Sequence, residues 1–183
     1  DVAEAFDHFY KNPVSGIYTL GGGADSMISL IESLSVGVRN TVVNQGLDLW
    51  GLYVIGLARE KGTRTVNAID SVKARLEMAK IFGVVQVFDV REMSAKDLVA
   101  AIRDVCPPDG PDVMIEVCGD PAVILQGIDM LRAGGRYAIT STVSPNANIN
   151  LNANRILTRM VTLVGVNNHP LRDLVKTLDF VSQ

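Results

Sequence analysis

The chain has 183 residues, 48% hydrophobic and 20% charged, the composition of one globular domain with a short appendage and not of a disordered or low-complexity chain. A formal net charge of −3 argues against a partner held by phosphate attraction, so no nucleic acid is expected. No apolar run approaches the roughly 20 residues of a membrane span, and no signal peptide is visible; no membrane partner is expected. Cys106 and Cys118 are too far apart for a CxxC site. A disulfide between them is possible, but a reduced pair in a cytoplasmic protein is the simpler reading. His8 and His169 lack metal-ligand partners at useful spacing. The first residue is Asp1 and not Met, which reads as a processed product or an excised piece.

Residues 1–20 are weakly patterned. Gly21–Gly23 reads as a loop, and Asp25 to about Leu34 as a helix carrying Met27, Ile28, Leu30, Ile31 and Leu34. From Asn40 onward the text alternates. Thr41–Asn44 predicts a strand, and Leu49–Lys61, apolar nearly all round, a helix buried against a sheet and capped by Gly62. Thr65–Ile69 is a second strand, followed by Val72, Leu76, Ala79 and Gly83 on one helical face. Val84–Phe88 is a third, and Ser94 with Asp97 forms a capping box before Leu98, Ala101, Ile102 and Val105. Arg91–Glu92 and Lys96–Asp97 read as a solvated helix face. Asp112–Val117 precedes a helix capped by Asp120, with Pro121 at its first position and Gly134–Gly135 as its stop. Arg136–Thr140 and Val161–Val166 complete the strands, and His169–Pro170 opens a last helix through Leu171, Val175, Leu178 and Val181. Such alternation predicts an α/β fold, a doubly wound parallel six-stranded sheet of the Rossmann type in the order 3-2-1-4-5-6.

The first strand-to-helix turn reads Asn44-Gln45-Gly46-Leu47-Asp48-Leu49-Trp50-Gly51, a G-x-D-x-x-G pattern one residue short of G-x-G-x-x-G. In the full pattern the first glycine permits the turn, the second lets the backbone approach a pyrophosphate, and the third lets the helix pack close to the strand. Asp70 lies 24 positions after Gly46 at the end of the second strand. A carboxylate there accepts from both ribose hydroxyls of an adenosine and repels a 2′-phosphate, which favours NAD over NADP. A plain structural turn with a helix-capping Asp is the bland alternative.

These residues resemble the nucleotide-binding domain of the medium-chain, zinc-type alcohol dehydrogenases. The likeness covers Thr41–Gly46, Gly51–Leu52, Ile69–Asp70, Asp109–Gly119, Leu131–Tyr137 and Leu163–Asn168. It implies that Gly46, Leu49 and Trp50 border the pyrophosphate, with Gly51 behind them, and that Asp70 holds the ribose beside Arg75. Cys118 and Asp120 would then line the adenine side, and Thr140, Thr142 and Val166 the nicotinamide. It also implies that residues 1–39 are a remnant of an adjoining catalytic domain, that residues 40–183 are the dinucleotide-binding domain, and that zinc belongs to the missing domain. A homodimer joined through the last strand would bury Asn154–Leu163.

Three departures stand against the likeness. A zinc-ligand cysteine expected near Leu20-Gly21-Gly22 is absent. Asp48 puts a carboxylate where phosphates are expected; like charges about 4 Å apart cost on the order of 4 kcal/mol at an effective dielectric of 20. Unless it turns away, Asp48 would occupy the anion site itself. Trp50 fills the nicotinamide side or packs under a neighbouring domain. They motivate a second reading, a non-catalytic scaffold or dimerisation module with a degenerate cofactor site. A methyl-donor-binding enzyme is a third, weakened by Asn44 where that class carries an acid. The lone histidines and the two cysteines read as loop, capping or packing residues.

Overall fold

The computed structural model describes residues 41–47, 49–141 and 146–166, without the side chains of Leu49 and Trp50. The helices expected over Asp25–Leu34 and Leu171–Val181 lie outside them, as do His8, Asp48, Thr142 and His169. Six parallel strands form one sheet: β1 (Thr41–Gln45), β2 (Thr65–Asp70), β3 (Gln86–Asp89), β4 (Val113–Glu116), β5 (Arg136–Ile139) and β6 (Thr162–Gly165). Their order, β3-β2-β1-β4-β5-β6, is the one expected from the strand–helix alternation. Helices α1 (Leu49–Glu60), α2 (Lys73–Ile81), α3 (Ala95–Val105) and α4 (Pro121–Met130) fill the crossovers.

Register explains the two apolar faces. Val42, Val66 and Val113 share a level, as do Val43, Asn67 and Met114, and side chains alternate along each strand. Val42, Val113, Ile115 and Ala138 pack with Val54 and Leu57 of α1, beside a cluster joining Val66 and Ala68 to Leu76 and Ala79 of α2. Val43, Met114 and Tyr137 pack on the other face with Leu98 and Ile102 of α3 and Ile124 and Ile128 of α4. All five residues of β1 are buried, as an unalternating run in a doubly covered sheet requires. The caps follow sequence. Ser94 Oγ accepts from the Asp97 amide at 3.2 Å, and Asp120 Oδ1 from the Ala122 amide at 2.9 Å.

Several boundaries differ from expectation. The α4 helix stops at Met130, short of Gly134–Gly135, because Leu131 turns extended and the Arg132 amide donates to the Pro111 carbonyl. Val72 lies outside α2, 40% exposed, with Leu76 and Ala79 alone carrying the buried face. Arg91 and Glu92 lie in the β3–α3 turn, not on a helix. An additional helix, α5 (Ala153–Arg159), has no buried residue and hence no apolar stripe to announce it. Polar bonds hold it instead. Asn152 caps it, Arg155 pairs with Asp129 at 2.9 Å, and Arg159 donates to the carbonyls of Ile128 and Leu131 at the end of α4. Those carbonyls lack intrahelical donors, so a cation there satisfies orphan acceptors and the helix dipole together.

At the amino-terminal edge of the sheet, Asp112 ties β1 to the start of β4. Its Oδ2 accepts from the amide (2.7 Å) and hydroxyl (2.9 Å) of Thr41, and its Oδ1 from Arg132 Nε (2.6 Å). Burial pulls its pKa upward, but these donors prevail and hold the carboxyl below its usual range. A depressed carboxylate contributes stability above its unfolded pKa and loses it as pH falls. Asp112→Ala is therefore expected to cost about 2–3 kcal/mol at neutral pH. The gap to wild type should narrow as pH falls below about 4, as read by urea unfolding.

Candidate functional site

Strand order reverses between β1 and β4. The connection leaving β1 crosses one face and that leaving β4 crosses the other, so a crevice opens at their carboxyl ends. The turn after β1 builds one wall. Gly46 adopts φ +95°, a conformation that favours glycine, and a Cβ there would lie 3.1 Å from the Cβ of Cys118. At Gly51 a Cβ would fall onto the Gly46 carbonyl oxygen, so the first turn of α1 packs directly on the turn. Asn44 Nδ2 donates to the Gly46 carbonyl (2.7 Å) and the Gly51 carbonyl (3.3 Å), fixing the angle at which α1 leaves β1. Helix α1 thus presents its amide end to the crevice.

Asp70 forms the second wall. It is 7% exposed; its Oδ2 accepts from the Leu47 amide at 2.6 Å, its Oδ1 from the Val72 amide at 2.7 Å. Arg75 Nη1 stands 3.9 Å from Oδ2. A carboxylate has about four acceptor positions, and two amides leave two for further donors. One strand further out, Asp89 holds Arg91 through Oδ1–Nε (2.9 Å) and Oδ2–Nη2 (2.5 Å) and also accepts the Arg91 amide. The bond from the Arg91 side chain, then that from its amide, lowers the Asp89 carboxyl to about 2.

The β4 wall contains a carboxylate that sequence patterning missed. Glu116 is fully buried and accepts from the amides of Cys118 (2.7 Å) and Gly119 (2.5 Å). The Ser141 hydroxyl lies 2.7 Å from its Oε2. Beside it, the Tyr137 hydroxyl donates to Gln45 Oε1 at 2.7 Å. Gly127 of α4 makes the room, since a Cβ there would strike both side chains. Burial, then the Glu116 charge, raises the Tyr137 phenol far above its ordinary range, so it stays a donor. The signal for this group was present as polar residues inside apolar strands.

Gly46, Gly51, Asp70, Arg75 and Cys118 therefore meet around one crevice. Thr140 lies at the end of β5, its hydroxyl donating to the Glu116 carbonyl at 2.7 Å. Val166, 6% exposed, packs with Val42 and Ala138. Asp48, Thr142 and the side chains of Leu49 and Trp50 lie outside the described residues. Both cysteines are free. Cys106 is buried as expected, but Cys118 is exposed and is not a core packer. Desolvation, opposed by the Asp120 amide and reinforced by Glu116, pushes the Cys118 thiol up to about 12; burial takes Cys106 to about 11. Among the described residues, no group of three or more His, Cys, Asp or Glu could hold a metal, and no helix is long and apolar enough to cross a membrane.

A family model described as zinc-binding dehydrogenase matches residues 51–183. An L-threonine 3-dehydrogenase of Bacillus subtilis is 28% identical over all of this chain and 54% of its own length. An alcohol dehydrogenase from Thermotoga maritima superposes with a TM-score of 0.74 at 26% identity, covering 85% of this chain and 44% of that one. An alcohol dehydrogenase zinc-binding domain protein from Burkholderia ambifaria gives 0.69 at 28% identity over 76% of this chain and 37% of that one. The chain spans about half the length of the curated relatives it matches.

The raised thiols make a checkable statement. At pH 7.5, iodoacetamide should label buried Cys106 of the folded chain roughly a hundredfold more slowly than a free thiol, and at ordinary rates in urea. Fast labelling of folded Cys106, followed by mass spectrometry, would contradict its burial.

Proposed function

The chain belongs to the zinc-binding dehydrogenase family, and we propose that its crevice between β1 and β4 binds NAD(H) for an alcohol-oxidising enzyme. The observation that carries this reading is Asp70, a buried carboxylate at the end of β2, held by the Leu47 and Val72 amides beside a glycine turn and a helix amide end. The residues present fit a dinucleotide. Vicinal ribose hydroxyls suit a carboxylate at the end of β2, and Gly46 and Gly51 let α1 pack close on the turn so that its amide end is available to a pyrophosphate. Gly46, Leu49, Trp50 and Gly51 contribute that backbone, Arg75 flanks the adenosine, Cys118 lines the adenine side, and Thr140, Thr142 and Val166 border the nicotinamide.

When bound, the nicotinamide supplies a hydride acceptor. The protein's part in this chain is to bind and orient. Asp70 fixes the ribose, α1 offsets the pyrophosphate charge, and Glu116 holds the Cys118–Gly119 turn in shape. The described residues offer no ligand set that fits zinc, and we assign the zinc to the other part of the enzyme. In this reading residues 40–183 are the dinucleotide unit, residues 1–39 belong to the adjoining catalytic domain, and the enzyme works in the cytoplasm. The scaffold reading is not favoured, because the family and the relatives matched are dehydrogenases.

We further propose a homodimer through β6. Among the described residues it is one of the two outer strands of the sheet, and Leu157 and Met160 beside it are 76% and 69% exposed. Light scattering at tens of micromolar should give twice the chain mass; a monomer would contradict the pairing. Calorimetric titration with NAD should give saturable heat, and Asp70→Asn should weaken it by on the order of tenfold to a hundredfold, the worth of hydrogen bonds to a charged acceptor. Absence of saturation at millimolar NAD would overturn the cofactor reading.

A further inference from the structure

The carboxyl edge of the sheet carries a second acid beside Asp70. Asp70 and Asp89 are register partners on β2 and β3, and the Val90 amide donates to the Asp70 carbonyl at 3.1 Å. The two carboxylates are compensated differently. Both oxygens of Asp70 are met by backbone amides, with Arg75 more distant at 3.9 Å. Asp89 spends both oxygens on one partner, the Arg91 guanidinium, gripped at 2.9 and 2.5 Å and 58% exposed at the rim. That fork-to-fork geometry fixes where the cation points. Arg91 follows the strand end that pairs with that of Asp70, where a free cation would serve as counterion for a phosphate on the neighbouring ribose, and Asp89 keeps it engaged instead.

We propose that Asp89 is a second specificity-determining residue of this site, discriminating against a dinucleotide that carries a 2′-phosphate by withholding Arg91. The inference rests on the dinucleotide reading above and concerns the 2′ position alone. The strong Arg91 bonds hold the Asp89 carboxyl down to about 2, so the pair persists at physiological pH. Release of Arg91 is expected to matter because unit charges several ångströms apart at a protein surface interact by enough to change affinity severalfold.

The test is calorimetric titration of the chain with NAD and with NADP in parallel, read as the ratio of the two affinities. Wild type should favour NAD. Asp89→Asn, which preserves shape, should shift the ratio toward NADP on the order of tenfold. Arg91→Ala in the wild-type background should shift it the other way by a few fold, because Asp89 is then uncompensated. The double variant should lose the gain of Asp89→Asn. An unchanged ratio in Asp89→Asn and in Arg91→Ala, with NAD binding intact, overturns the role of Asp89 while leaving the cofactor reading standing. A gain that survives in the double variant overturns the withholding of Arg91. Failure of wild type to bind either dinucleotide removes the reading and this inference together. Circular dichroism identifies a variant that fails to fold, and the remaining variant then decides.

Discussion

The hydrogen bond from the Leu47 amide to the Asp70 carboxylate, 2.6 Å long, joins the turn after β1 to the end of β2. The same carboxylate receives the Val72 amide at the start of the segment leading into α2. One buried side chain therefore sets the relative position of two strand ends. A buried carboxylate left without such donors costs several kcal/mol, so the turn and the acid stabilise one another only when both are in place. On the inner side, Asn44 performs the matching task for α1 by donating to the Gly46 and Gly51 carbonyls. Its own Oδ1 has no partner among the described residues.

The same economy governs the β4 side. Glu116 gathers two turn amides and the Ser141 hydroxyl, and Gln45 with Tyr137 fills the space between β1 and α4. Polar groups buried at strand ends specify the geometry of a crevice more sharply than apolar packing does, because each has few satisfactory positions. Apolar contacts in the sheet's middle set the fold, and the polar groups at one end set the site.

Much of this was legible in the sequence, for reasons that differ by element. The strands are short apolar runs whose register follows from burial on both faces, and Ser94 and Asp120 cap helices by local chemistry that needs no tertiary partner. Gly46 and Asp70 were readable from spacing. The end of α4 was not, because Arg132 is drawn to Pro111 and Asp112 by contacts distant in sequence. Helix α5 was illegible because arginine bonds to the carbonyls of α4 hold it in place of a buried stripe. Arg91 is solvated, as its charge implied, but lies in the β3–α3 turn and not on a helix, its amide and guanidinium taken by Asp89 two residues before it.

In the proposed reading, a dinucleotide docks in the crevice between β1 and β4, which Asp70 organises. An amide-resolved nuclear magnetic resonance titration of the labelled chain with NAD tests it most directly. Saturating shifts are expected at Gly46, Leu47, Val72, Cys118 and Gly119, with the amides at the opposite edge, such as Thr41 and Arg132, unmoved. Shifts confined to other surfaces, or none at saturating NAD, would contradict it.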